Sequence, residues 1–163
     1  MLETPHGRLA QRLALGVPAL LLAGAYVSQY GFGLFPCEMC WWQRYALIAA
    51  LPFAVLALVP PRRPWPVALA ALAILASGLI GGFHAGVEYG WWEGLTACTM
   101  TAEAGGDPLA SILAAPLVRC DVAPWTLAGV SLAGFNFLIS TAAAIAIFVL
   151  LKRSSGRNAH ASL

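Results

Sequence analysis

Four long apolar stretches constrain this chain more than any other feature of its sequence. They run over about 13–30, 42–59, 67–83 and 127–151. Each approaches the roughly 20 residues that a helix needs to cross the hydrocarbon core of a membrane. Because backbone hydrogen bonds in lipid must be satisfied within the chain, such runs predict spanning helices. We predict an all-α, integral membrane four-helix bundle that forms a single domain over residues 1–163.

The composition agrees with a membrane protein. Of the 163 residues, 60% are hydrophobic and 10% are charged, against about 25% charged in an average soluble domain. A soluble chain of this composition would expose more apolar surface than solubility allows. The net charge of +2 gives no support for binding nucleic acid, and the sequence contains no phosphate-binding glycine loop or GxSxG motif.

Basic residues flank the spans on one side, and they predict the orientation. They are Arg8, Arg12, Arg62, Arg63, Lys152, Arg153 and Arg157. The positive-inside rule places both termini and the turn between spans two and three in the cytoplasm. Loops 31–41 and 86–125 then face outward, and the polar tail 154–163 is predicted to be disordered.

The first span has a second interpretation. Arg8 and Arg12 before an apolar run, with small residues at Ala23–Ala25, also resemble a secretory signal with its cleavage site. Apolar character continues to Tyr30, so we favour a retained first helix.

The long outward loop contains a candidate helix. Asp107 and Pro108 are typical of an N-cap followed by proline at the first helical position. Apolar residues then recur at helical spacing, namely Leu109, Ile112, Leu113 and Leu117. We predict a short helix lying parallel to the membrane surface. An irregular loop is the alternative.

All four cysteines lie in the two outward loops. They are Cys37, Cys40, Cys98 and Cys120. The outer face of a membrane is where disulfides form and persist. Four cysteines allow three pairings, of which adjacency favours Cys37–Cys40 and Cys98–Cys120.

Cys37 and Cys40 form a CxxC motif where the second span begins. A helix N-terminus stabilises a thiolate and lowers the pKa of a cysteine. Arg44 follows four residues after Cys40, and at about 100° per residue all three side chains lie within about 60° on one helix face. A guanidinium there can hold a thiolate or a reduced quinone anion.

Each feature also has a purely structural interpretation. A CxxC can be half of a zinc site, but Cys98 and Cys120 are too far apart to supply the usual second pair, so we predict no metal. Cys98–Cys120 could simply staple a loop, and Arg44 could be a snorkelling interface residue. The combination of all three features is more specific than any one of them.

Together these motifs resemble a known family, the quinone-dependent disulfide bond formation protein B (DsbB) of bacteria. The matching residues are Pro36–Tyr45 (PCEMCWWQRY), Cys98, Arg119-Cys120-Asp121 and Pro124-Trp125. The resemblance extends over about residues 10–150 and includes four spans with both termini inside.

The resemblance implies a thiol:quinone oxidoreductase of the bacterial inner membrane, with its long loop and active cysteines on the periplasmic side. A reduced DsbA-like thioredoxin-fold partner would attack the loop disulfide at Cys98. The electrons would pass from the Cys98–Cys120 pair by thiol–disulfide exchange to Cys37–Cys40, and Cys40 would engage ubiquinone or menaquinone while Arg44 stabilises the developing charge. Such a DsbA–DsbB–quinone relay keeps the bacterial periplasm oxidising.

Three further positions carry predictions. Glu38 lies between the two cysteines of the CxxC, where many relatives carry an apolar residue, and its carboxylate should oppose thiolate formation. His84 shares a helix face with Glu88 and is predicted to line the quinone site and to help deliver protons; an interface histidine bonded to a neighbouring helix is the alternative. Asn136 is predicted to hydrogen-bond between helices. Glycines of span three predict close helix packing, namely Gly78, Gly81, Gly82 and Gly86.

Two other functions compete with this one. A vitamin K epoxide reductase-like enzyme is also a four-helix, quinone-linked thiol protein, but it has the reverse order of CxxC and loop pair. A non-enzymatic membrane scaffold with structural disulfides explains the cysteines, yet it leaves Arg44 beside the CxxC without a role.

Overall fold

The four apolar stretches fold as long helices in the computed structural model, which describes residues 2–95, 99–100 and 117–160. The helices are α1 (Pro5–Phe32), α2 (Glu38–Leu56), α3 (Pro64–Glu88) and α4 (Leu132–His160). Two small antiparallel sheets lie between α3 and α4. In the first, β1 (Thr99–Met100) pairs with β2 (Leu117–Val118), and in the second, β3 (Thr126–Leu127) pairs with β4 (Val130–Ser131).

All four helices are long and apolar enough to cross a membrane, which confirms the all-α membrane bundle. Helix α3 packs against α2 and α4, and α1 closes the bundle against the same two helices. Large apolar side chains point outward, as Leu20 (74% exposed) and Ile145 (57% exposed) do. Small residues such as Ala50 and Ala144 fill the interior. Large apolar side chains on the outside suit the surrounding lipid, and small side chains on the inside let the helices pack closely.

Three of the four predicted glycines of α3, Gly78, Gly81 and Gly82, let α4 approach closely, whereas Gly86 faces the Trp92 ring. A Cβ atom at Gly78 would lie 2.8 Å from Thr141 Oγ1, and one at Gly81 would lie 2.9 Å from the Ala133 carbonyl oxygen. Real Cβ atoms do not come this near to other atoms. The two helix backbones therefore meet at a distance that only glycine permits.

Polar contacts tie the chain ends and the α2–α3 turn together at one end of the bundle. The Thr4 side chain caps α1 by accepting from the Gly7 amide at 3.1 Å and lies 2.8 Å from Ser154 Oγ. Arg62 pairs with Glu3 at 3.1 Å across the same end. The CxxC motif and Glu88 lie at the opposite end, because α2 starts where α3 finishes.

A tight hairpin leads into α4. Its two turn residues, Ala128 and Gly129, have φ angles of 51° and 78°, as a two-residue turn of type I′ requires. The Tyr89 hydroxyl donates to the Gly129 carbonyl oxygen at 2.9 Å and accepts from the Ser131 amide at 3.1 Å. The hairpin is thereby fastened to the end of α3.

Several predicted boundaries shift. Helix α2 begins at Glu38 with Cys37 as its N-cap, so the CxxC belongs to the helix rather than to the preceding loop. The prediction of a disordered tail from residue 154 is wrong as far as His160, because α4 continues to that residue. The helix continues past residue 153 where the Ser154 side chain is buried and contacts Thr4.

The predicted surface helix falls mostly outside the described residues, as does Cys98. Leu117, which the prediction placed in that helix, instead pairs with Met100 in the first small sheet.

Candidate active site

The CxxC motif is built into the first turn of α2. Cys37 adopts an extended N-cap conformation, and its sulfur accepts a hydrogen bond from the Cys40 amide at 3.4 Å. The same sulfur donates to Cys40 Sγ at 3.2 Å. The two sulfurs are thus held side by side as a dithiol, and Cys40 is the acceptor of the pair. Only a small movement separates this state from a disulfide bond of about 2.05 Å.

Cys37 does not carry the thiolate. Its hydrogen bond to Cys40, followed by burial, raises the pKa of the Cys37 thiol to about 12. This is opposite to the effect that the helix N-terminus alone predicts for Cys37. The negative charge of the reduced pair therefore belongs on Cys40.

The second outward loop brings Cys120 to the same place. The sulfurs of Cys37 and Cys120 and a ring nitrogen of His84 all lie within 4.8 Å of one another, and all three residues are buried. Met39 and Val87 pack around the cysteines in an apolar cluster. Three donor atoms this close could also hold a soft metal ion, but two of them are the sulfurs that disulfide exchange requires, and we assign no metal.

His84 lies between the cysteines and Glu88. Its Nε2 atom is 3.5 Å from Cys37 Sγ and 3.7 Å from Glu88 Oε1, and its side chain is only 2% exposed. The predicted neighbourhood of His84 and Glu88 on one face of α3 is therefore seen as a direct contact. On its other edge, His84 Nδ1 is 3.0 Å from Gln43 Nε2.

Asn136 joins three helices, as its predicted role between helices requires. Its Nδ2 atom donates to the Ser77 carbonyl oxygen at 3.1 Å and to Gln43 Oε1 at 2.8 Å. Its Oδ1 atom accepts from Ser140 Oγ at 2.9 Å. Because a backbone carbonyl can only accept, the contact with Ser77 fixes which end of the Asn136 amide carries nitrogen.

The same logic fixes the histidine ring. Gln43 Nε2 donates to the Met39 carbonyl oxygen at 3.1 Å, while Gln43 Oε1 receives the bond from Asn136. Gln43 must then donate its remaining N–H to His84 Nδ1. The neutral His84 ring consequently carries its proton on Nε2, the atom that faces Cys37.

Arg44 is buried beside this network. Its guanidinium donates to Gln29 Oε1 at 2.5 Å and to the Ala25 carbonyl oxygen at 3.1 Å. The rings of Tyr26 and Trp41 cover it, with centroids 5.0 and 5.1 Å from Cζ. No carboxylate of the described residues lies within salt-bridge distance of it. A buried cation with only neutral partners attracts an anion to the space beside it.

That space is a cavity of about 250 Å³ lined by residues of all four helices. Its walls are mainly apolar, with Leu20, Leu21 and Phe35 among them. Its polar groups are few and include Cys40, Arg44, His84 and Glu88. Among the described residues no direct hydrogen bond joins Arg44 to either cysteine, but Arg44 and Cys40 line one cavity. An apolar space with a few convergent polar groups is typical of a small-molecule site.

A second cavity of about 300 Å³ adjoins the first, at the end of the bundle that the sequence predicts to face outward. It shares Cys40, His84 and Glu88 with the first cavity and is also lined by Cys37 and Arg119. The Arg119 side chain is half exposed and pairs with Asp121. We call the first the apolar cavity and the second the outer cavity.

Sequence reasoning missed part of this site. Gln43, Ser77 and Ser140 were not singled out, and neither was Gln29, the partner of Arg44. A signal for them exists, because polar side chains inside membrane spans are costly and therefore tend to be functional.

Comparisons with known proteins agree with the geometry. The family described as disulfide bond formation protein DsbB matches residues 7–150. Disulfide bond formation protein B of Verminephrobacter eiseniae (strain EF01-2) is 31% identical over 93% of this chain and 88% of its own length. The protein of the same name from Acidovorax sp. (strain JS42) is 31% identical over 97% of this chain and 94% of its own length.

No solved structure gives a significant match to this chain. The family match covers most of the chain, including Cys37, Cys40, Cys120 and Arg44. The chain therefore belongs to the DsbB family of membrane disulfide bond formation proteins.

Proposed function

We propose that this protein is a protein-dithiol:quinone oxidoreductase of the bacterial inner membrane that re-oxidises a DsbA-like periplasmic partner. The observation that carries the proposal is the cluster of Cys37, Cys40 and Cys120 beside the apolar cavity. Two cysteines from the start of α2 and one from the segment between α3 and α4 meet there, and Cys40 also lines the cavity. A scaffold with static disulfides has no need of this meeting point.

The exchange between Cys120 and the CxxC rests on the short distance between Cys120 and Cys37, and the steps at Cys98 rest on the family resemblance. A thiolate of the partner attacks Cys98 of the Cys98–Cys120 disulfide, and the partner's second thiol resolves the mixed disulfide, leaving the partner oxidised and the loop pair reduced. Cys120, within 4.8 Å of Cys37, then attacks Cys37 of the Cys37–Cys40 disulfide, and Cys40 leaves as a thiolate. Cys98 attacks Cys120, which restores the loop disulfide and leaves Cys37 and Cys40 reduced. Each step forms one S–S bond and breaks one.

The apolar cavity fits a quinone ring. Its walls are mainly apolar, and Cys40 and Arg44 both line it. No carboxylate of the described residues lies within salt-bridge distance of Arg44. A bound quinone, ubiquinone or menaquinone, supplies an acceptor for two electrons and two protons. Cys40 presents its sulfur to that space, Arg44 stabilises negative charge there, and the apolar wall excludes water. His84 keeps a proton directed at Cys37 Sγ.

The charge distribution supports the proposed orientation. Basic residues cluster at the end that holds both chain ends and the α2–α3 turn, as Arg62 and Lys152 do. By the positive-inside rule that end faces the cytoplasm. The cysteines then open to the periplasm, where a thioredoxin-fold partner can reach them.

A quinone-consumption assay tests the proposal. The protein in detergent is given a soluble quinone and either a reduced thioredoxin-fold partner or a small dithiol, and quinone absorbance is followed. We expect the wild type to consume one quinone per dithiol. Cys98→Ser should fail with the protein partner but retain turnover with the small dithiol, whereas Cys40→Ser should fail with both.

A Ser155→Ala variant, changed at the opposite end of the bundle, serves as the matched control and should behave as wild type. If the wild type leaves quinone unchanged and its cysteines resist reduction by the partner, the disulfides are structural and the proposal is wrong.

A further inference from the structure

Glu88 is one of the residues that line both the apolar cavity and the outer cavity. It ends α3, and its side chain is only 2% exposed. We propose that Glu88 carries protons from the outer cavity to the apolar cavity. The inference rests on the proposed function, because reduction of a quinone requires protons at a buried place.

The hydrogen bonds of the carboxyl group leave one oxygen available. Glu88 Oε1 is 3.7 Å from His84 Nε2, and the Ser131 side chain also contacts the carboxyl group. Glu88 Oε2 is buried and has no hydrogen-bond partner in the described part of the chain. Leaving a buried polar atom without a partner costs free energy. A carboxyl oxygen that exchanges protons with molecules in an adjoining cavity accounts for the arrangement.

His84 is poorly placed for the same task. Its Nδ1 atom accepts from Gln43 Nε2, whose orientation is fixed by the Met39 carbonyl oxygen and Asn136. A second ring proton at Nδ1 would face this donor and break the chain of hydrogen bonds. His84 therefore acts as a fixed donor toward Cys37, and the proton-carrying role falls to Glu88.

Other ionisable groups around Glu88 are accounted for. Helix α2 presents Cys37, Cys40 and Arg44, and the outer loop presents Arg119. Among described residues, α1 and α4 add no ionisable side chain to the lining of either cavity. A guanidinium group is a hydrogen-bond donor and no acceptor, and the cysteines are the electron donors. A carboxyl group is the remaining group that can take up and release a proton during turnover.

The proton balance is complete without a further reactant. Oxidation of the Cys37 thiol and the Cys40 thiolate forms one S–S bond and releases two electrons and one proton; the other proton of the reduced pair left when Cys40 became the thiolate. The electrons enter the apolar cavity through Cys40, and Cys37 can lose its proton to the outer cavity, which it also lines. Glu88 releases a proton into the apolar cavity and is reprotonated from the outer one, twice for each pair of electrons.

A Glu88→Gln variant tests this assignment, with Glu93→Gln as the matched control because Glu93 is exposed just beyond α3. The first readout is infrared spectroscopy of the quinone-free protein. We expect a carboxylic-acid C=O band that shifts on transfer to D2O, is lost in Glu88→Gln and persists in Glu93→Gln.

The second readout compares two rates in one preparation. Quinone reduction by Glu88→Gln should fall about a hundredfold relative to the rate of mixed-disulfide formation with the partner. Glu88→Asp should recover part of the loss, since it restores an acid in the same place. Normal exchange with the partner shows that the variant is folded.

Two results would overturn the inference. One is the absence of an exchangeable carboxyl band that depends on Glu88, and the other is quinone reduction by Glu88→Gln at the wild-type rate. If instead the wild type reduces no quinone at all, the proposed function fails, while the infrared band still decides whether Glu88 exchanges protons.

Discussion

Replacing Gly81 with alanine should force α3 and α4 apart where the polar network crosses between them. The added Cβ would lie 2.9 Å from the Ala133 carbonyl oxygen and 3.1 Å from both the Phe137 amide nitrogen and Asn136 Nδ2. Two of these three atoms belong to the α4 backbone, so they cannot yield by changing a rotamer. Relief requires a shift of the helix, and that shift stretches the hydrogen bonds of Asn136.

The size of the effect follows from two opposing contributions. Overpacking of this kind costs about 1–3 kcal/mol, and replacing glycine by alanine inside a helix returns about 0.5–1 kcal/mol. The free energy of unfolding should therefore fall by about 0–2.5 kcal/mol. Gly16→Ala is the matched control, because a Cβ there meets nothing within 4 Å. That variant should keep the whole helix-propensity gain of about 0.5–1 kcal/mol.

Unfolding in mixed detergent micelles, followed by far-ultraviolet circular dichroism, measures both variants against the wild type. Quinone reduction by Gly81→Ala should also slow, because Asn136 orients Gln43 and, through it, His84. A Gly81→Ala protein as stable as the Gly16→Ala protein would refute the close-packing argument.

Three further predictions concern the reactive groups. Arg44→Met should slow quinone reduction about tenfold to a hundredfold, since a hydrogen bond to a charged group contributes about 1.5–3 kcal/mol. Arg62→Met removes an exposed ion pair at the other end of the bundle and should leave the rate unchanged, so equal rates for the two variants would contradict the role of Arg44. Cys40→Ala removes the hydrogen bond that is the main cause of the raised pKa of Cys37, so the pH at which Cys37 becomes alkylated should move down from about 12. Mass spectrometry measures the alkylation, and an unchanged pH profile would contradict the assignment of the thiolate to Cys40. Glu38→Gln should lower the thiol pKa of the CxxC, by a small amount because Glu38 is exposed and screened by salt; an unchanged titration at low ionic strength would contradict the effect.

Much of the fold could be predicted because lipid imposes simple demands. A chain that satisfies its own backbone in a membrane must place about 20 apolar residues in each helix, and the four runs met that condition. The ends were harder to predict. Polar residues such as Ser154 look like a loop in sequence, but the contact of Ser154 with Thr4 extends the helix.

Some contacts of the candidate site could also be predicted from the sequence, and others could not. Residues four apart on one helix face, such as His84 and Glu88, could be placed together from their spacing. The meeting of Gln43 with Asn136 depends on how α2 and α4 are rotated about their axes. The rotation of α4 depends on its packing against Gly78, Gly81 and Gly82 of α3, and spacing along a single helix does not reveal it.

The anchored hairpin before α4 affects the rate of exchange between the cysteines and its selectivity against thiols from solution. Tyr89 anchors the chain a short distance after Cys120. The sulfur of Cys120 is therefore held near Cys37. A short tether gives an effective concentration on the order of millimolar or more. A thiol arriving from solution, such as a small reductant, would need a comparable concentration to attack Cys37 as often. The tether thus insulates the buried pair and makes the loop cysteine its preferred reaction partner.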